Sequence, residues 1–449
     1  MARVRVPKPF SQLTQEISHD AWVPLMSKYR AIDEKGRYLH WDEFQWRVDT
    51  GDDVTAAWCA TKSSRMTISK SIQQLQAEEN RCFSYCVPDS LFARLHTIDQ
   101  MTGGGQSLSE GPFVSSNEKD RYLVKSLMLE EAITSSQLEG ASTTRKVAKE
   151  MLIKHLPPRD KSQQMIFNNY LLMQKALENK DVELSVPLIL ELHSIATHKA
   201  IENQAKSGKI RQDNTVVVAD LYGEQTFHPP DWQTLPSRLQ QLCEFANTAH
   251  DEESSFLHPI IKAIILHFMI GYIHPFGDGN GRTARALFYW SMLRSGYWLF
   301  EYISISKLIK EKRGAYDKAF IYSETDEFDL TYFLYNQVDV IEKSVHALHA
   351  YIDQKKQDFY DFMAWVEQSP MAKQLKRGQL EILKEALRKP GQEFTTGQVA
   401  SDLGIAVNTA RGYLNGLVDK GLLRKTKADS GKNVIYIAPA SLQSRLNIP

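Results

Sequence analysis

His274-Pro275-Phe276-Gly277-Asp278-Gly279-Asn280-Gly281-Arg282-Thr283-Ala284-Arg285 puts a histidine, an acid, three glycines, an asparagine and two arginines within twelve positions. Glycine has no Cβ, so Gly277, Gly279 and Gly281 let backbone N–H groups come close to an anion. Apolar periodicity on both sides predicts two helices, the second starting near Asn280. The N-terminal end of that helix carries partial positive charge and favours phosphate. Arg282 and Arg285 are three apart and share one of its faces. The guanidinium fork of Arg282 matches phosphate oxygens. Asp278 suits Mg²⁺, which is held by one or two carboxylates plus the substrate phosphates. The spacing is GxGxG behind a helix, not the dinucleotide pattern behind a strand, and no GK[ST] follows as in a P-loop. A bare GDGNG also fits a plain turn between two helices. The histidine, phenylalanine and two arginines at fixed spacing favour chemistry.

With those residues included, the run resembles the HPFx[D/E]GNGRxxR signature of Fic-domain proteins at every defined position. The similarity extends from about Tyr122 to Ile341. It implies transfer of AMP from ATP to a Ser, Thr or Tyr hydroxyl of a target protein. On this resemblance His274 is the general base, work that suits its near-neutral reference pKa. Phe276 anchors the loop in the core. Asp278 holds Mg²⁺, or Mn²⁺ in its place. Nucleotide contacts fall to Gly277, Gly279, Asn280, Gly281, Arg282 and Arg285. The Gly279–Gly281 backbone with Asn280 forms the anion hole, and Arg282 takes the outer phosphates.

Two further segments acquire meaning from the resemblance. Ser135-Ser136-Gln137-Leu138-Glu139-Gly140 is similar to the family's [S/T]xxxE[G/N] inhibitory motif. Ser135 and Glu139 are i and i+4 on one helical face, and Gly140 suits a helix end. In the family this glutamate pairs with the second signature arginine, here Arg285, and ATP then binds unproductively. The same glutamate serves AMP removal in some relatives. Residues 214–227 read as a hairpin in helical surroundings, with Thr215-Val216-Val217-Val218 as one extended run. By resemblance it is the flap on which a target segment docks; by itself it is a surface hairpin.

At 449 residues, with 42% hydrophobic and 24% charged content, the chain has room for two or three globular domains. Lys+Arg (54) balances Asp+Glu (54), so net charge selects no partner. Four cysteines are too few for a disulfide framework, and Cys82 and Cys86 have no second pair to complete a zinc site. MARVRVPKPF has no apolar core for a signal peptide. The apolar stretch Ile260–Ile273 is interrupted by Lys262 and His267 and is too short to span a bilayer. A reducing, cytoplasmic setting with no membrane partner is the expectation. Helical patterns fall near 118–136, 161–178, 187–202, 233–248, 256–273, 281–295 and 305–323. Trp22, Trp41, Trp46 and Trp58 read as aromatic anchors of an N-terminal unit.

The expected fold class is mainly α: a Fic-type helical core with a small β-hairpin flap, plus a C-terminal winged helix-turn-helix. The expected domains are an N-terminal region (1–115), the catalytic domain with its inhibitory motif (116–345, motif 135–140), a helical connector (346–375) and the winged unit (376–449). In the last, Thr395-Thr396 opens a helix, Gly404 makes the turn, and Asn408 to Lys420 is the recognition helix. Asn408, Thr409 and Arg411 would face DNA, with Lys425, Lys427 and Lys432 near phosphates. From Met371 to Pro449 there are 13 basic and 6 acidic residues, which agrees with such a partner. A protein-interaction or homodimer role fits the same fold. Function therefore divides three ways: AMP transfer held off by Glu139; AMP removal or use of another nucleotide; and a DNA-binding transcriptional regulator whose Fic domain senses nucleotide.

Overall fold

A computed structural model describes residues 4–78, 81–103, 129–201, 206–219, 225–249, 256–388, 391–427, 434–439 and 441–446. The chain divides into two units, Met1–Leu348 and His349–Pro449. In the first, short helical turns lead into helix α1 (Val54–Ile68), capped where Asp53 Oδ1 accepts the Ala56 N–H. A small core gathers Leu13, Trp22, Tyr29, Leu39, Phe44 and Trp58, with Trp41 against its edge. Trp46 is not part of this core: it is 68% exposed and lies under the Arg5 guanidinium. A hairpin that the sequence did not suggest follows, β1 (Lys70–Glu78) with β2 (Arg81–Tyr85), its register broken by bulges. Helix α2 (Asp89–Thr102) ends on Gly103 at φ 78°.

Buried polar groups fasten these N-terminal residues to a later stretch, 326–332. Lys62 Nζ lies 2.8 Å from Asp326 Oδ1 and 3.1 Å from Glu327 Oε2. Arg65 donates to the Tyr332 hydroxyl and to the Leu39 and Ala31 carbonyls, with its guanidinium 3.6 Å above the Tyr38 ring. The Tyr38 hydroxyl donates to Asp329. Ser84 on β2 exchanges backbone bonds with Phe328 and Leu330. Each charge in the cluster is paired or hydrogen-bonded, as burial requires.

The helical body comprises α3 (129–138), α4 (Arg145–Ile153), α5 (Lys161–Glu178), α6 (Val186–Thr197), α7 (Leu235–Asn247), α8 (Pro259–Ile273) and α9 (Asn280–Arg294). Next come α10 (Ile305–Glu311), α11 (Arg313–Thr325) and α12 (Thr331–Gln368). The expected 305–323 helix is thus two helices, broken at Lys312 (φ −123°). Helix α8 starts on Pro259, is apolar on all sides and is buried nearly throughout, the pattern of a central helix. It pairs with α9 as a helical hairpin joined by 274–279. Strands β3 (Val218–Ala219) and β4 (Gln225–Phe227) form the expected hairpin, with Thr215–Val217 outside the ladder. Its tip, Asp220-Leu221-Tyr222-Gly223, lies outside the described residues.

In the second unit α13 (Arg377–Arg388), α14 (Thr396–Leu403) and α15 (Val407–Asp419) surround an apolar core that includes Leu383, Leu414, Leu417 and Tyr436. Thr395 Oγ1 caps α14 and Gly404 ends it at φ 62°. Strands β5 (Glu393–Phe394), β6 (Arg424–Lys427) and β7 (Val434–Ile437) form an antiparallel sheet in the order β5-β7-β6. The two-residue β5 is an addition to the expected hairpin. Lys432 and the Asp429-Ser430-Gly431 turn lie outside the described residues. Among the described residues no helix is long and apolar enough to cross a membrane. Cys59, Cys86 and Cys243 are buried free thiols. Burial pushes Cys59 and Cys86 up to about 11 and Cys243 to about 12, so they stay protonated and inert.

Candidate active site

The loop between α8 and α9 is held from inside. Asn280 Oδ1 accepts the Phe276 N–H at 3.0 Å while its Nδ2 donates to the Phe276 carbonyl at 2.7 Å. The Asn280 side chain thereby braces the loop from inside. Phe276 is fully buried, stacked on His193 of α6 at 3.7 Å and 4°. Gly279 sits at φ 85°, and a side chain there would meet Thr197 Cγ2 at 2.6 Å and the His193 ring at 3.2 Å. Only glycine fits. The loop delivers the first N–H groups of α9, which have no intrahelical acceptor.

His274 ends α8 in the left-handed region, φ 47°, which is rare for a side-chain-bearing residue and is characteristic of functional loops. Its Nδ1 donates to the Gly271 carbonyl at 3.1 Å, which leaves Nε2 as an acceptor. Burial lowers its pKa; the Gly271 carbonyl opposes this, and the positive charge of Arg211 adds to it. The ring is thus a neutral base with a defined tautomer.

Arg282 and Arg285 are both buried. Arg282 donates to the Ala196 carbonyl at 2.6 Å and lies 3.4 Å from Asp278 Oδ1, while its Nε has no partner among the described residues. Arg285 is engaged through Nε and Nη2 from α3 and the turn after it. Its Nε donates to Ser135 Oγ at 2.8 Å and its Nη2 to the Ser135 carbonyl at 3.2 Å and to Glu139 Oε1 at 2.8 Å. Glu139 is 27% exposed, just past the last helical residue of its segment, and Gly140 follows at φ 97°. A Cβ at Gly281 would overlap Glu139 Oε1, so the carboxylate lies against the first turn of α9. Burial disfavours its charge, but Arg285 first, then Arg282 and Arg313, outweigh this and hold the carboxyl below the usual range.

Asp278 is a quarter exposed at the mouth of the loop. Among the described residues no group of three His, Cys, Asp or Glu could form a protein cage for a metal. One partly exposed carboxylate beside a phosphate site fits Mg²⁺, which takes its other ligands from water and phosphate.

Arg211, three residues before the hairpin segment, connects flap and loop. Its N–H donates to the Pro275 carbonyl at 2.9 Å and its Nε to the His274 carbonyl at 3.0 Å. Its Nη1 reaches the Asp213 carbonyl at 2.6 Å and Asn214 Oδ1 at 3.1 Å, and Nη2 reaches the Pro230 carbonyl at 2.5 Å. Phe227 on β4 packs on Tyr272 of α8, with ring centroids 5.0 Å apart. Arg211→Met keeps the stem and removes every side-chain donor. A stability loss of about 3 kcal/mol is expected in chemical denaturation, because carbonyls buried around a charged donor lose it. In the flap itself, Thr215 is exposed, Val216 and Val217 are half-buried, and only Val218 enters the ladder.

In the second unit Asn408, Thr409 and Arg411 are all exposed on the first turns of α15. Lys425 on β6 donates to Asn415 at 3.2 Å.

A helical hairpin on a mainly α scaffold thus brings together helix N–H groups, a histidine and two buried arginines, groups whose chemistry can hold an anion such as phosphate. Residues 183–292 match the model of the Fic/DOC family, and the chain carries a Fic domain. The chain is 35% identical to protein adenylyltransferase fic-1 of Caenorhabditis briggsae over 121 residues, 27% of this chain and 22% of that protein. It is 31% identical to protein adenylyltransferase Fic of Drosophila sechellia over 116 residues, 26% of this chain and 21% of that one. The match thus spans about a fifth of the length of these curated relatives. Among solved structures, a Fic family protein from Desulfovibrio desulfuricans G20 superposes with TM-score 0.50 at 18% identity, covering 79% of this chain and 97% of that one. That likeness supports the Fic-type helical fold.

Proposed function

We propose that this chain is a protein adenylyltransferase restrained by Glu139. The observation that carries the reading is the Glu139 carboxylate, lying against Gly281 and paired with Arg285 at the N-terminus of α9. An anion of the protein itself occupies an anion site, beside a histidine with a free basic nitrogen. A target Ser, Thr or Tyr hydroxyl gives its proton to His274 Nε2 as its oxygen bonds to the α-phosphorus of ATP. The bond from that phosphorus to the β-bridging oxygen breaks, and pyrophosphate leaves. The N–H groups of α9, with Arg282, hold the phosphates, and Arg285 joins them once Glu139 has moved. Asp278 would hold Mg²⁺, whose charge would offset that of the phosphates. The segment Thr215–Val218, of which only Val218 is paired in the ladder, would offer an edge for a target strand. Positioning and charge supply most of the rate in such a transfer. The named adenylyltransferase relatives support the same chemistry over the matched stretch.

The test compares ATP labelled at the α- and at the γ-phosphate, using the full chain as Glu139→Gly. Label transferred from the α-position alone is expected. Transfer from γ instead overturns the reading in favour of phosphorylation. Release of label from a pre-labelled target by wild type, dependent on Glu139, would move the reading to AMP removal.

A second reading concerns the unit 349–449. Helices α14 and α15 joined at Gly404, backed by a three-stranded sheet, support a winged helix-turn-helix. Exposed Asn408, Thr409 and Arg411 and the unit's basic excess favour duplex DNA as its partner. Retention on duplex DNA that weakens with salt, and is reduced by Arg411→Ala, would support it. No retention at low salt would leave a protein partner or a homodimer.

A further inference from the structure

His193 lies on α6, 85 residues from Asp278, and is 1% exposed. Its ring touches the loop in two ways: the stack on Phe276 and a 2.8 Å hydrogen bond from Nε2 to the Asp278 carbonyl. On the other side Nδ1 lies 3.0 Å from the Gly208 nitrogen. The Gly208 N–H can only donate, so Nδ1 accepts and Nε2 carries the proton. The tautomer follows from the two partners. Burial lowers the ring's pKa to about 4, so it stays neutral at ordinary pH.

The carbonyl of Asp278 and the N–H of Gly279 belong to one planar trans peptide and point in opposite directions. Drawing that carbonyl inward to His193 turns the Gly279 N–H outward, at the start of α9. Gly279, with no Cβ and a left-handed backbone, could otherwise turn this peptide over easily. The reversed peptide would present a carbonyl oxygen to the phosphates.

We infer that His193 is a positioning residue that fixes the Asp278–Gly279 peptide so that its N–H faces the nucleotide phosphates. The inference rests on the reading of the loop as an ATP-phosphate site. Through Gly208, the same ring also contacts the segment that leads to Arg211 and the flap.

The test uses the full chain in the Glu139→Gly background. His193→Phe keeps the ring against Phe276 and loses both hydrogen bonds. His193→Gln keeps an amide donor near the position of Nε2. His193→Phe is expected to lower kcat for α-label transfer on the order of 100-fold, the scale of a lost oxyanion donor. His193→Gln should recover at least tenfold of that, with the thermal midpoints of the two variants alike. Calorimetric titration with Mg²⁺-ATP gives a readout that does not need transfer: about tenfold weaker binding in Phe, restored in Gln. Equal kcat in His193→Phe and its parent overturns the inference, as does a folded Gln variant no better than Phe. If the parent binds ATP without transferring label, the transferase reading fails and the titration alone decides the role of His193. If the parent does not bind ATP, both fail.

Discussion

Glu139→Gly is expected to raise the initial rate of α-label transfer from ATP on the order of 10- to 100-fold. For a γ-phosphate to reach Arg285, the charge-assisted bond from Arg285 Nη2 to Glu139 must first break. Such a bond contributes about 1.5–3 kcal/mol, which is the fold-change expected when it is removed. The substitution costs little structurally. Glu139 is at the edge of its helix, and Gly140 already takes the left-handed turn beyond it. Arg285 also keeps its place, because Ser135 holds both Nε and Nη2. Initial rates for wild type and variant at one ATP concentration decide the matter; equal rates would show that the ion pair does not restrain the site.

His274→Ala, added to Glu139→Gly, is expected to lower kcat by roughly 10²- to 10⁴-fold, the range for loss of a general base. ATP binding should survive, since the phosphate contacts come from α9 and its arginines. The pH profile gives a second check. The neutral ring is the active form, so kcat/KM falls as pH drops through the His274 pKa. Burial, with Arg211 nearby, places that pKa below the ordinary 6.5, so the acid limb should lie below 6.5. Glu139 pulls the same pKa upward, and its removal should move the limb further toward acid. An acid limb at or above 6.5 would mean that another group titrates.

What could be read from the sequence was whatever a local pattern encodes. The α8–loop–α9 hairpin announces itself by an apolar run, spaced glycines and a second apolar helix. Glu139 became legible only through the resemblance of Ser135–Gly140 to the family's inhibitory motif. The β1–β2 hairpin did not, because Lys70-Ser71-Ile72-Gln73-Gln74-Leu75 is mostly polar and bulges break its alternation. Strand β5 is only two residues long and exists by pairing with β7. The bracing of the loop by Asn280 was not legible either, because its partner, the Phe276 backbone, depends on loop shape. Arg211 and His193 escaped for a related reason. A single arginine before a hairpin, or a single histidine in an apolar helix, reads as packing until its distant acceptors are known.

The cluster around Lys62 and Arg65 bears on where this protein can be cut. A piece containing only residues 183–292 would hold the whole signature loop. It would lack Ser135 and Glu139, which engage Arg285, and Glu131, which binds the start of α10 through Ser304 and Ser306. Starting a shortened chain after α2 would take Lys62 from Asp326 and the Tyr38 hydroxyl from Asp329, leaving these acids only the donors of Tyr332 and Thr331. The transplantable module is therefore much longer than its recognisable motif, and its seams lie outside both ends of the matched stretch 183–292.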